Sequence, residues 1–182
     1  MDDMSSQRTY SITACCESPG YRDRLDVSTD LPRGRHVLVV QLNPSTGNLA
    51  RSDPTIGKVS IWACQNGFAK VTFVNLFAKR TPYPRDLARS YSAADQEREP
   101  HQDAKLLEAI ADADVVVVAW GRVPARFRKS AHFRRRHRRL RELIGNRPVH
   151  AVGEPCRDGS PRHGRTWNGA NRCLRTYDWA NE

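Results

Sequence analysis

Four short apolar runs punctuate the chain: HVLVVQL at 36–42, VTFVNL at 71–76, DVVVVAW at 114–120 and PVHAVG at 148–153. None alternates cleanly between apolar and polar residues. A strand with one wet face must alternate, so these runs fit strands covered on both faces, as in a parallel sheet. Stretches of helical character lie between them. In 53–67, Asp53 is placed to cap, Pro54 suits the first turn and Gly67 the stop, and Ile56, Val59, Ile61, Trp62 and Ala63 make the buried side. Leu106, Leu107 and Ile110 recur at helical spacing in 101–113, and Phe133, His137, Leu140 and Ile144 form one stripe in 126–145. Strand alternating with helix predicts an α/β fold of three layers, α/β/α, around a central, mostly parallel four-stranded sheet.

Residues 36–166 carry this core within a single domain spanning 1–182. Residues 1–35 read as an N-terminal hairpin or extension turning at Pro19-Gly20. Residues 167–182 read as a C-terminal tail, and the chain from 154 onward, rich in Arg, Gly and Asn, as surface loop with one short helix. A chain of 182 residues can bury a core without disulfides. Its five cysteines are odd in number and lack a C-x-x-C spacing, which argues against a disulfide framework or a zinc ribbon. Reduced, buried thiols are the expectation; Cys156, His163 and Cys173 are the one set weighed as metal ligands, and neither a metal nor a cofactor is expected. No apolar run approaches the ~20 residues that span a bilayer, and the first residues lack the apolar stretch of a secretory signal. The expectation is a cytoplasmic protein without a membrane partner.

Thirty Lys and Arg against twenty Asp and Glu give a net charge of +10, a surplus that favours a polyanionic partner. The bias peaks between Arg122 and Arg141, with ten cations and no acid. Solvated helix faces normally mix both signs. Arg122, Arg126, Arg128, Lys129, Arg134, Arg135, Arg138 and Arg139 are therefore expected to meet the phosphates of a nucleic acid, DNA rather than RNA. Such contacts hold the polymer without reading its sequence.

Ligands of open parallel sheets bind beyond the carboxyl ends of the strands. Each strand end here carries polar or special residues: NPSTGN after the first, Asn75 and FAKRTPYP after the second, WGRVPARFR after the third, EPCRDGSPRHGRTW after the fourth. Each also has a plainer reading. Asn43, Pro44 and Ser45 can form a turn; Asp53 can be only a cap; Trp120 can be core. Asn75 can read an amide or nucleobase edge, or tie down its own loop. His137 lies on an apolar stripe and reads as packing, whereas His163 lies in a loop with no apolar face.

The order of these motifs resembles the uracil-DNA glycosylase superfamily. VVQLNPST is similar to its first motif, in the version with Asn found in mismatch-specific uracil and thymine glycosylases. VTFVNLFAKR is similar to the second-strand segment ending in a base-reading Asn, VVVVAWG to the third-strand Trp-Gly segment, and SPRHG to the closing histidine loop. Gly164 stands where that loop has Pro, and no residue matches the superfamily's leucine wedge. LNPST, SDPTI, VNLFA, AWG and PRH together resemble the domain-of-unknown-function family 1643, a bacterial and phage family, over residues 36–166.

The superfamily resemblance implies hydrolysis of an N-glycosidic bond to a damaged or modified base. Asn43 would position water, Asp53 would supply negative charge or act as base, and His163 or Arg162 would stabilise the departing base. Asn75 would pair with the base edge, alongside Pro44, Ser45, Phe77 and Trp120; Trp62 and Phe77 are candidates for the stacking aromatic. The rival expectations are a non-catalytic binder of nucleic acid or modified nucleotide, and a basic phage or bacterial interaction protein.

Overall fold

A computed structural model describes residues 10–169 and 172–179; residues 1–9 of the N-terminal extension and 170, 171 and 180–182 of the tail lie outside the described residues. Seven strands form one sheet: β1 (Tyr10–Ser18), β2 (Tyr21–Thr29), β3 (Arg35–Gln41), β4 (Phe68–Asn75), β5 (Val115–Val118), β6 (Val149–Val152) and β7 (Leu174–Thr176). Their order across the sheet is β1-β2-β4-β3-β5-β6-β7. The four apolar runs are the parallel centre, β4-β3-β5-β6. The four-stranded sheet predicted from sequence is thus only the middle of this one. The hairpin β1–β2 turns at Pro19-Gly20 and adds to β4 antiparallel, pairing Leu25 with Phe73. The tail adds β7 antiparallel to β6, with Leu174 opposite Val152. β7 is a three-residue, mostly exposed strand, which explains why its pattern is too short to read.

Two apolar layers flank the sheet, and β3 feeds both. Val37 and Val39 pack with Ile56, Val59, Trp62 and Ala63 of α1 (Pro54–Gln65). Leu38 and Val40 pack with α4 (Glu99–Asp112) and α6 (Ala131–Ile144) through Leu106, Ile110, Phe133 and Leu140. A strand covered on both sides has no polar face, hence the unbroken apolar runs. Two more helical turns, α2 (Pro84–Ser90) and α3 (Ala93–Glu97), fill the connection from β4 to α4.

Several sequence expectations shift. Ile61, assigned to the buried side of its helix, is exposed, and so is Leu107 of the second helical stretch. The expected helix 126–145 is two, α5 (Ala125–Arg128) and α6, because the Ser130 hydroxyl accepts from Phe133 N–H and starts α6 afresh. His137 is half-buried beside Phe133 and Trp120, as its stripe implies. All five cysteines are free, but none is buried; Cys16 and Cys173 are exposed. No helix among the described residues is long and apolar enough to cross a membrane.

Candidate functional site

At the carboxyl rim of the parallel strands lies a cleft of about 210 Å³. All four strand-end loops contribute to it: Leu42 to Thr46 after β3, Thr81, Pro82 and Pro84 after β4, Trp120 after β5, and His163 and Arg165 after β6. Asp53, Pro54 and Thr55 add the start of α1. Asn43, Asp53 and His163, far apart in sequence, thus share one cavity with Pro44, Ser45 and Trp120.

Asn43 is held by Thr81. Its Nδ2 donates to the Thr81 carbonyl at 2.9 Å and to the Thr81 hydroxyl at 3.1 Å. A carbonyl can only accept, so the nitrogen must face Thr81 and Oδ1 is the atom left for a ligand.

Asp53 does two things at once. Its Oδ1 accepts from the N–H groups of Thr55 and Ile56, capping α1, and its Oδ2 accepts from Gly47 N–H at 2.8 Å. Burial pushes its pKa up, but the bonds from Ser45, Ile56, Gly47 and Thr55 outweigh burial and hold the carboxyl below its ordinary value. A strongly ionised carboxylate committed to backbone donors is a poor proton acceptor; it supplies fixed negative charge.

Two arginines that sequence reasoning missed brace the 43–47 loop from below. Arg22 donates to the Gly47 carbonyl at 2.6 Å, and Arg80 donates to the Ser45 and Gly47 carbonyls. Arg22 reaches there because β2 is irregular: Cys16 pairs with Arg24 but Glu17 with Arg22, leaving Asp23 without an opposite residue. Burial, reinforced by Arg80, lowers the Arg22 pKa to about 10, while Asp53 pulls it back up.

His163 opens a 3-10 turn at Gly164–Thr166, and its Nδ1 accepts from Arg165 N–H at 3.1 Å. Nδ1 therefore carries no proton, and the neutral ring keeps its hydrogen on Nε2. Burial lowers the His163 pKa; Asp53 opposes this and Arg165 adds to it. Gly121, after β5, approaches this loop closely, donating its N–H to the Pro161 carbonyl with φ at +71°. A Cβ there would lie 2.8 Å from the His163 Cβ.

Four expected site residues do not line the cleft. Phe77 is buried in an aromatic cluster with Tyr91 and Phe127. Trp62 is core, packed edge-on against Trp167 at 4.8 Å. Arg162 donates to the Glu154 carbonyl, and its place at the cleft is taken by Arg165. Asn75 is fully buried and also outside the lining. Its backbone carbonyl accepts from Gln102, yet neither atom of its side-chain amide has a partner among the described residues. Gln41, directly beside it in register, has an unpartnered Nε2. Thr81 and Arg165 carried no independent signal; only their nearness in sequence to Asn75 and His163 pointed to them.

The basic segment divides. Arg136 is buried, donating to Asp103 at 2.6 Å and to the Leu76 carbonyl, while Arg135 pairs with Glu99 and Arg139 with Asp103. The acids missing from the run come from α4. Arg134 and Arg138 face a different cavity with Arg141, and Arg122 and Arg128 sit beside Asp158. Arg126 and Lys129 are exposed. Cys156, His163 and Cys173 do not come together. Among the described residues the metal-ligating side chains that do are Cys16, Asp23 and His101, where Arg98 already lies 3.5 Å from Asp23.

The family model described as a protein of unknown function, DUF1643, matches residues 24–164, most of the chain. The chain belongs to this family. No curated protein matches it. The DUF1643 match runs from β2 to Gly164, so it includes Asn43, Asp53 and His163, together with Arg22's strand from Arg24 onward.

Proposed function

We propose that the cleft hydrolyses the N-glycosidic bond of a damaged or modified base in DNA. The observation that supports this is the meeting of Asn43, Asp53 and His163 in one cleft at the strand ends. In such a reaction the C1′–N bond breaks, its electron pair leaves with the base, and the sugar becomes cation-like. A water oxygen then bonds to C1′ and its proton passes to solvent. Asn43 Oδ1 accepts a hydrogen bond from that water. The Asp53 carboxylate stabilises the cationic sugar without taking the proton. His163 donates its Nε2–H to the departing base, and Arg165 supplies positive charge beside it. Donors aimed at developing charge contribute about 3–4 kcal/mol each to such barriers.

The test is incubation of the full chain with oligonucleotides bearing uracil or modified pyrimidines, followed by alkali to cleave at abasic sites. Strand scission that is lost in His163→Gln supports the reading. Absence of base release from every substrate overturns it.

A second reading is a non-catalytic binder of nucleic acid or modified nucleotide. It is favoured by the burial of Asn75 away from the cleft and by the commitment of Asp53 to capping. Tight binding without base release would select it.

A further inference from the structure

The cleft does not end at its own walls. Pro84 also lines a second cavity, of about 650 Å³, with Tyr83, Arg85, Arg122, Arg128 and Asp158. Arg128 and Asp158 line in turn a third, of about 490 Å³, with Arg134, Arg138, Arg141 and Trp179. Three cavities joined by shared walls make one trough from the cleft to α6.

The cations along it differ from those on the far side of α6. Arg135, Arg136 and Arg139 are bound to Glu99 and Asp103. Arg134, Arg138 and Arg141 recur at helical spacing on the other side, exposed and without an acidic partner among the described residues. Asp158, 3.9 Å from Arg122 and 3.7 Å from Arg128, is the one acid in the described lining of the two cavities beyond the cleft.

Where the trough leaves the cleft stands Tyr83, 56% exposed, with the Arg85 guanidinium 4.9 Å from its ring centroid. An exposed aromatic ring offers a face on which a base can stack. Bases in a duplex already stack on one another and present no free face. Cations in file along a trough, with an aromatic at the cleft end, suit a single strand.

We infer that the trough is a track for single-stranded nucleic acid: Tyr83 stacks the base next to the cleft, and Arg122, Arg128, Arg134, Arg138 and Arg141 follow the phosphates. This rests on the nucleic-acid reading of the cleft and narrows its substrate to single strands. It also accounts for the lack of a wedge residue, since an unpaired base leaves no hole to fill.

The test is fluorescence anisotropy of the full chain with a labelled twelve-nucleotide DNA, as single strand and as duplex, across a range of salt. The single strand should bind at least tenfold more tightly. Tyr83→Ala should weaken it about tenfold or more, and Tyr83→Phe should restore it. Replacing Arg134, Arg138 and Arg141 by Gln should flatten the logarithmic salt dependence by about 0.7 for each phosphate no longer neutralised. Asp158→Asn should raise affinity. Thermal melting confirms that each variant is folded. Equal or tighter binding of duplex, or no effect of Tyr83→Ala in a folded variant, overturns the track. Base release from duplex alone would leave the proposed chemistry standing and remove the track. Tyr83-dependent binding without base release would do the reverse.

Discussion

The backbone N–H of Arg165 donates to Nδ1 of His163, and this bond determines what the imidazole can do. Protonation of Nδ1 must break it. Burial lowers the His163 pKa below its ordinary value of about 6.5. The folded protein therefore holds this proton less tightly than the unfolded chain. The stability that neutral His163 contributes is complete above about pH 6.5 and is lost as pH falls through the depressed value. Base release should be level from about pH 8 to 6.5 and fall on the acid side, with a midpoint below about 6.5. His163→Gln should lower the rate about a hundred- to thousandfold. A rate that instead rises as the pH falls through that midpoint would mean that the charged ring is the working form.

Asp53 combines a helix cap with charge in the cleft. Asp53→Asn keeps an acceptor for Thr55 and Ile56 but turns an NH₂ group toward the Gly47 N–H, donor against donor. The variant should lose about 1–2 kcal/mol of stability in urea melts and lose base release as well. Full activity in a destabilised Asp53→Asn protein would reduce Asp53 to a cap.

Asn75 carries an amide that finds no protein partner among the described residues, and such burial is costly. Leucine has nearly the same shape without the polar atoms. Asn75→Leu should therefore raise stability, by about 1 kcal/mol. If the amide serves a ligand, the more stable variant should bind or act less well. Increased stability with unchanged function would make Asn75 a structural residue only.

Arg136 and Arg134 are two residues apart and should behave oppositely. Arg136→Ala leaves a buried void, removes the donor to the Leu76 carbonyl and leaves Asp103 with Arg139 alone, and should cost about 3–5 kcal/mol. Arg134→Ala, exposed, should stay within about 0.5 kcal/mol while weakening nucleic-acid binding. Paired melting and binding curves separate the two roles.

Gly121→Ala places a methyl group 2.8 Å from the His163 Cβ and forces a side chain onto a φ of +71°. Backbone strain of this kind costs about 1–2 kcal/mol. The larger expected effect is on base release, because the histidine loop must move. Unchanged kinetics would show that His163 tolerates displacement.

The sequence by itself determined the parallel centre of the sheet, the α1 cap at Asp53 and the turn at Pro19-Gly20, because each rests on interactions between near neighbours or on an unbroken apolar run. It also placed Asn43, Asp53 and His163 at strand ends or helix starts, where a ligand of such a sheet binds. Only the tertiary structure decided which of those residues meet. It buried Asn75 and Phe77, exchanged Arg162 for Arg165, brought Arg22 and Arg80 beneath the 43–47 loop and drew the acids of α4 onto one side of α6. Most of these depend on the packing of segments far apart in the chain, which no local periodicity encodes. The edge strand β7 was decided there too, since three mostly exposed residues become a strand only when β6 offers its backbone to pair with.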